Sequence, residues 1–269
     1  MMELFTSGPL LMTRELSIIF VFLMGHLSSK SRVFIDAMTL LLFTMIYNHW
    51  LKEIWRIPLA PHLLKEGWAF PSGHMHISLV FYGYIGWQLK KTNRWLTLTC
   101  LSLLIGIGLS LIRQGYHSHL DIWGAFFFGL LTLIFSIWLN SREIFLHRAW
   151  LLSLFILSLT ILIDRLLLTK TSDSATLFYI HGSLLGIFLS SLLLHFFPTL
   201  INSKNHLSII KRAFIAIVTL IFSHIIFIRW RAFSFLPSPL LYSTLAIWFI
   251  LFPSLCTLFK NRDTQKKPN

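Results

Sequence analysis

Residues 70–90 read FPSGHMHISLVFYGYIGWQLK: a polar turn that runs without a break into an apolar segment. Pro71 suits the first turn of a helix and Ser72 suits its cap, so the stretch predicts a helix over 73–89. Gly73 lets a ligand approach the backbone closely. The free amides and positive dipole end of a helix N-terminus suit an anion such as phosphate. His74 projects from the first turn, where an imidazole can give a proton to a leaving oxygen near neutral pH. Seventeen mostly apolar residues behind such a turn predict a membrane helix that carries its chemistry at one end.

The rest of the chain agrees. Of 269 residues 55% are hydrophobic and only 12% charged, against the ~25% charged of a soluble domain. Apolar stretches of about 17–20 residues recur, which excludes a soluble protein with a greasy core. The expected fold is all-α: a polytopic bundle of about nine transmembrane helices, near 10–27, 33–51, 73–89, 95–112, 120–139, 149–168, 177–197, 212–230 and 240–259. Residues 1–147 form the expected catalytic core, 148–260 add helices without a motif, and 261–269 are a polar tail. The first apolar segment lacks a basic leader and is expected to stay as a helix. Cys100 and Cys256 lie inside apolar segments and read as small buried hydrophobes.

A net charge of +13 raises nucleic acid as a partner, but the basic residues sit at the ends of apolar segments, where headgroups and topology account for them. With the N-terminus outside, Lys30, Arg32, Lys90, Lys91, Arg94, Arg142, Arg148, Lys204, Lys211 and Arg212 fall on the cytoplasmic side, as the positive-inside rule requires. Lys52, Arg56, Lys65 and Arg113 fall against that bias, on the face that carries the histidines, and suggest an anionic ligand there.

Downstream of the first motif stands YHSHLD, Tyr116–Asp121. His117 and Asp121 are four apart, so one helical turn would bring them together. A carboxylate on one imidazole nitrogen fixes the tautomer and frees the other to attack phosphorus. His119 has Trp123, not a carboxylate, four residues on and reads as an interfacial bystander. Lys52 closes the second apolar segment; alone it would read as a snorkelling residue, but beside His74 it reads as a phosphate ligand. His49, Lys52, Glu53 and Arg56 recur at helical spacing as one polar stripe. Histidines 181, 195 and 224 sit in apolar segments and read as packed side chains; Arg229 and Arg231 read as snorkelling.

Lys52, Pro71-Ser72-Gly73-His74 and His117-x-x-x-Asp121, in that order, resemble the phosphatidic acid phosphatase type 2 superfamily. That family includes lipid phosphate phosphatases, sphingosine-phosphate phosphatases, glucose-6-phosphatase and vanadium haloperoxidases. The resemblance covers roughly residues 33–139. It implies a mechanism without metal or cofactor, in which His117 attacks phosphorus, His74 protonates the leaving alcohol and Asp121 orients His117. Lys52 and the backbone at Ser72 and Gly73 would hold the phosphate oxygens. The family's two arginines are out of register: Leu59-Ala60 stand where its first motif has Arg-Pro, and Leu111 stands six before His117. Arg56 and Arg113 are the nearest substitutes.

The expectation is an integral membrane phosphatase of a lipid phosphate or diphosphate. Its membrane is expected to be a bacterial inner membrane, with the site on the periplasmic or lumenal side. The alternatives are a lipid phosphotransferase sharing the phosphohistidine step and a catalytically weakened headgroup-binding protein. A transporter is disfavoured, because no acidic or broken-helix pattern runs through the midplane.

Overall fold

The computed structural model describes residues 8–63, 67–142, 149–163, 174–196, 211, 214–219, 221 and 243–251. The described residues are mostly helical, and no strand is found among them. In chain order the helices are α1 (Glu15–His26), α2 (Ser31–Trp55), α3 (Gly73–Leu89), α4 (Arg94–Arg113), α5 (His119–Asn140), α6 (Ala149–Ile163) and α7 (Ser174–Phe196). A short 3-10 turn, Pro61–Leu63, lies between α2 and α3. The helix expected over 73–89 has those bounds. The first expected span, 10–27, is interrupted by a turn at Met12–Arg14, where Thr13 folds its hydroxyl back onto the Leu10 carbonyl at 2.8 Å. The 12 residues of α1 reach only about 18 Å, short of a ~30 Å hydrocarbon core. Most of the last two expected spans, and Cys256, His224, Arg229 and Arg231, lie outside the described residues.

Two compact units emerge. One comprises Met1–Ile18, Leu40–Glu143 and Ile163–Thr169; the other comprises Ile19–Thr39, Ile144–Leu162 and Lys170–Asn269. In the second, His26 is fully buried, with Nε2 donating to the Ile250 carbonyl at 2.9 Å and Nδ1 accepting from the Ser31 hydroxyl at 2.7 Å. Both ring nitrogens are thereby satisfied, so this histidine is structural.

The first unit is built around α3, which packs along both α4 and α5. Apart from His74 and Trp87 near its two ends, its side chains are largely covered, as befits a central helix. The flanking helices are different. On α4, Leu98, Leu101, Ile105 and Leu109 form an exposed row at helical spacing. On α5, Trp123, Phe127, Leu130, Leu131, Ile134 and Trp138 do the same. A row of large exposed apolar side chains is unstable in water and natural against lipid. Among the described residues three helices, α2, α4 and α5, are long and apolar enough to cross a membrane. These are the features of a membrane protein.

The two ends of the unit are chemically distinct. At one end Lys90 sits over the Trp87 ring at 3.0 Å, Arg94 over Trp95 at 5.3 Å and Arg142 over Trp138 at 4.4 Å. Asn140 and Gln88 both donate to the buried Tyr84 hydroxyl there, at 2.8 and 3.0 Å. At the other end lie the C-terminus of α2, the start of α3 and the start of α5. Lys52, Ser72, Gly73, His74, His117 and Asp121 come together there.

Candidate active site

The start of α3 and the start of α5 are tied backbone to backbone. The Ser72 amide donates to the Asp121 carbonyl at 3.1 Å. Two motifs 49 positions apart in sequence thus become one surface. Packing reinforces the tie: the Phe70 ring occupies the space that a side chain at Gly124 would need, so only glycine there lets α5 come so close.

Asp121 carries two jobs. Its Oδ2 accepts from the Ser118 amide at 2.8 Å, while the Ser118 hydroxyl accepts from the Asp121 amide at 3.2 Å. This reciprocal capping box opens α5 and locks the carboxylate's direction. The same Oδ2 lies 3.6 Å from His117 Nδ1, with side-chain exposures of 6% and 8%. The helix begins only at His119, so the four-residue spacing meets across a cap rather than along a helical face. Among the described residues His117 Nδ1 has no hydrogen-bond partner within bonding length. It stands just beyond bonding length of Asp121, a gap of the kind that closes when substrate binds.

Burial pushes His117 down to about 4, helped by the positive charges of Lys52 and His74 and opposed by Asp121. The imidazole is therefore neutral at pH 7. With Nδ1 turned to the carboxylate, Nε2 is the nitrogen left to react. The same influences put Lys52 and His74 within electrostatic reach of His117. His74 is exposed on the first turn of α3. Lys52 is half-buried and donates one hydrogen bond to the Trp68 carbonyl at 2.7 Å, leaving two ammonium hydrogens for an anion.

Ser72 and Gly73 differ in what they offer. The Ser72 amide is already engaged with Asp121, but its hydroxyl is fully buried and finds no partner among the described residues. Gly73 opens α3, and the first bond of the helix runs from His76 to the Ser72 carbonyl. The amides of Gly73, His74 and Met75 therefore precede the helical ladder.

The segment between α2 and α3 is strapped over this end. The Ala69 amide donates to the Ile57 carbonyl at 2.7 Å and the Leu59 amide to the Gly67 carbonyl at 3.1 Å. His62 Nε2 donates to the Gly115 carbonyl at 3.0 Å, joining the strap to the loop that carries His117. Gly115 has φ +69, a conformation that favours glycine, and a Cβ there would come a tight 3.2 Å from His62 Nε2.

Residues 33–145 match the PAP2 superfamily. No curated protein and no solved structure matches the chain. The PAP2 segment runs from α2 to just past α5, the helices that bring Lys52, His74, His117 and Asp121 to one end. It points to phosphatase-type hydrolysis.

The two arginines are placed differently from these four. Arg56 is 65% exposed, lies 3.6 Å from the Glu53 carboxylate and donates to the Glu53 carbonyl at 3.0 Å. Arg113 is exposed at the last turn of α4 and makes no hydrogen bond or ion pair with any described residue. Leu111, at the position where the family has arginine, is 2% exposed and packed in the core. Its carbonyl accepts from the amides of Tyr116 and His117 at 3.1 and 3.4 Å. His119 is exposed at the start of α5. Among the described residues no group of three or more His, Cys, Asp or Glu is placed to hold a metal. A sequence reading passes over Asn48, Ser118 and His62; Asn48 stands one helical turn before Lys52, the one signal that marked it.

Proposed function

We propose that this protein is an integral membrane phosphatase that hydrolyses a lipid phosphate or diphosphate through a phosphohistidine. The observation that carries the reading is the buried, neutral His117 beside Asp121, on a surface joined to the start of α3 by the Ser72–Asp121 bond.

His117 Nε2 attacks phosphorus, forming a P–N bond as the P–O bond to the leaving group breaks. His74, protonated, gives its proton to the departing oxygen. Neutral His74 then takes a proton from water, whose oxygen attacks phosphorus; the P–N bond breaks, phosphate leaves and both histidines return to their starting states. Asp121 stabilises the positive imidazole ring as it forms. Lys52, the Ser72 hydroxyl and the free amides from Gly73 onward hold the phosphate oxygens, with Arg113 as the available guanidinium. Arg56, already turned to Glu53, would have to leave that carboxylate to contribute. The lipid substrate is supported by the reacting groups lying at the ends of apolar helices that also carry exposed Trp55, Leu120 and Trp123.

The test is phosphate release from a panel of lipid phosphates by the detergent-purified protein with EDTA present. Release that His117→Ala abolishes supports the reading. Activity lost to EDTA and restored by a divalent metal contradicts it. One observation favours a second reading, a weakened headgroup-binding protein: the family's arginine position is filled by buried Leu111. Binding of lipid phosphate without turnover would select it.

A further inference from the structure

Helix α2 sends a second polar side chain toward α3 one turn before Lys52. Asn48 is 5% exposed. Its Nδ2 donates to the Pro71 carbonyl at 3.4 Å and lies 3.1 Å from His76 Nδ1. A carbonyl oxygen only accepts, so the amide presents its NH2 group to the turn. Its second hydrogen needs an acceptor, and His76 Nδ1 is the one within reach. His76 therefore meets Asn48 as a neutral ring with its proton on Nε2.

His76 is fully buried and held from three sides. Tyr47 of α2 meets its ring edge-on at 5.7 Å between centroids. From α5, a Cβ at Gly129 would come within 3.3 Å of its Cδ2. On the far side of Asn48, a Cβ at Gly73 would lie 3.2 Å from Oδ1. One amide thus bonds the turn at Pro71 and fills the space that a side chain at Gly73 would need, on both sides of Ser72.

We infer that Asn48 and His76 form a positioning pair that fixes the Pro71–Gly73 turn, and with it His74 and the free amides of α3, against His117. Neither residue reaches substrate; both act through the turn. The inference rests on the proposed phosphatase reading for its effect on rate, but its effect on the turn is independent of it. Misplacement of reacting groups by about 1 Å costs on the order of 100-fold in rate.

The experiment compares wild type, Asn48→Leu, His76→Leu, His76→Asn and the double leucine variant in detergent. It measures phosphate release and amide hydrogen exchange across residues 70–76. Asn48→Leu and His76→Leu are each expected to lower kcat by about 10–100-fold with KM changed less than about threefold, and to speed exchange in the turn. His76→Asn places an acceptor where Nδ1 stood and is expected to recover kcat to within about threefold of wild type. The double variant is expected to be no worse than the poorer single one, because the pair acts as a unit. Wild-type kcat in both folded leucine variants, or losses that multiply in the double variant, overturn the inference. So does a His76→Asn variant as impaired as His76→Leu. If the leucine variants do not fold, Asn48→Ser, too short to reach Pro71, replaces them under the same criteria. If wild type releases no phosphate, the proposed function fails. Exchange then decides the pair alone: unchanged exchange in the Asn48 variant overturns it, and faster exchange supports it.

Discussion

Replacing Asp121 by asparagine isolates charge from structure. Asparagine keeps an oxygen for the Ser118 amide, and the bond from the Asp121 amide to the Ser118 hydroxyl is untouched, so the cap of α5 survives. The Ser72 bond uses the backbone carbonyl and also survives. What is lost is a negative charge 3.6 Å from His117 Nδ1. At an effective dielectric of ~20, that charge is worth roughly 4–5 kcal/mol to a positive imidazole ring. If half of it stabilises the transition state, kcat falls about 50-fold; if all of it does, about 2,000-fold. The acid side of the pH profile moves no higher, because burial, Lys52 and His74 still depress His117 once Asp121 is neutral. The assay is phosphate release across pH 4–8 with the unfolding temperature measured in parallel. A folded Asp121→Asn enzyme within threefold of wild type would refute the role given to the carboxylate.

Other expectations follow from the same geometry. Arg113→Lys should lower kcat about 10-fold or more, since a point charge does not reproduce a bidentate fork; an unchanged kcat removes Arg113 from the phosphate site. His117 binds its proton less readily folded, at about 4, than at its ordinary 6.5, so its contribution to stability is full above 6.5 and lost as pH falls toward 4. The unfolding temperature of wild type should therefore fall more steeply than that of His117→Gln across that window, and parallel curves would contradict the depressed value. Exposed cysteines at His119 and Lys91 should divide by side: in intact cells an impermeant thiol reagent should label His119→Cys and spare Lys91→Cys. The reverse pattern would turn the site toward the cytoplasm.

Much of this was legible in the chain because it is local. Pro71-Ser72-Gly73 placed the start of α3, and the apolar run behind it placed its end. The row of cations at one end of the helices was legible too, although not that Lys90, Arg94 and Arg142 would each settle on a tryptophan ring. Ser72 was read as a cap, yet its hydroxyl makes no capping bond; the cap that matters for the site is Ser118, which holds Asp121. That exchange was hidden because capping depends on where the helix begins, and α5 begins two residues after His117. The break in the first expected span was hidden because Met12–Arg14 carries neither proline nor glycine. The role of Asn48 is hidden for another reason: its partners Pro71 and His76 lie 23 and 28 residues away, and only tertiary packing brings them to it.

Covalent chemistry at His117 is tested most directly by trapping its phosphoryl adduct. Wild type mixed with a lipid phosphate substrate in EDTA, quenched within one turnover and digested under alkaline conditions that spare phosphohistidine, should carry a phosphoryl group on the peptide that contains His117. His74→Ala should accumulate that adduct when the leaving group is a weak base such as nitrophenolate, because water then lacks its base. A phosphoryl group on any other residue, or none during demonstrable turnover, would contradict the account.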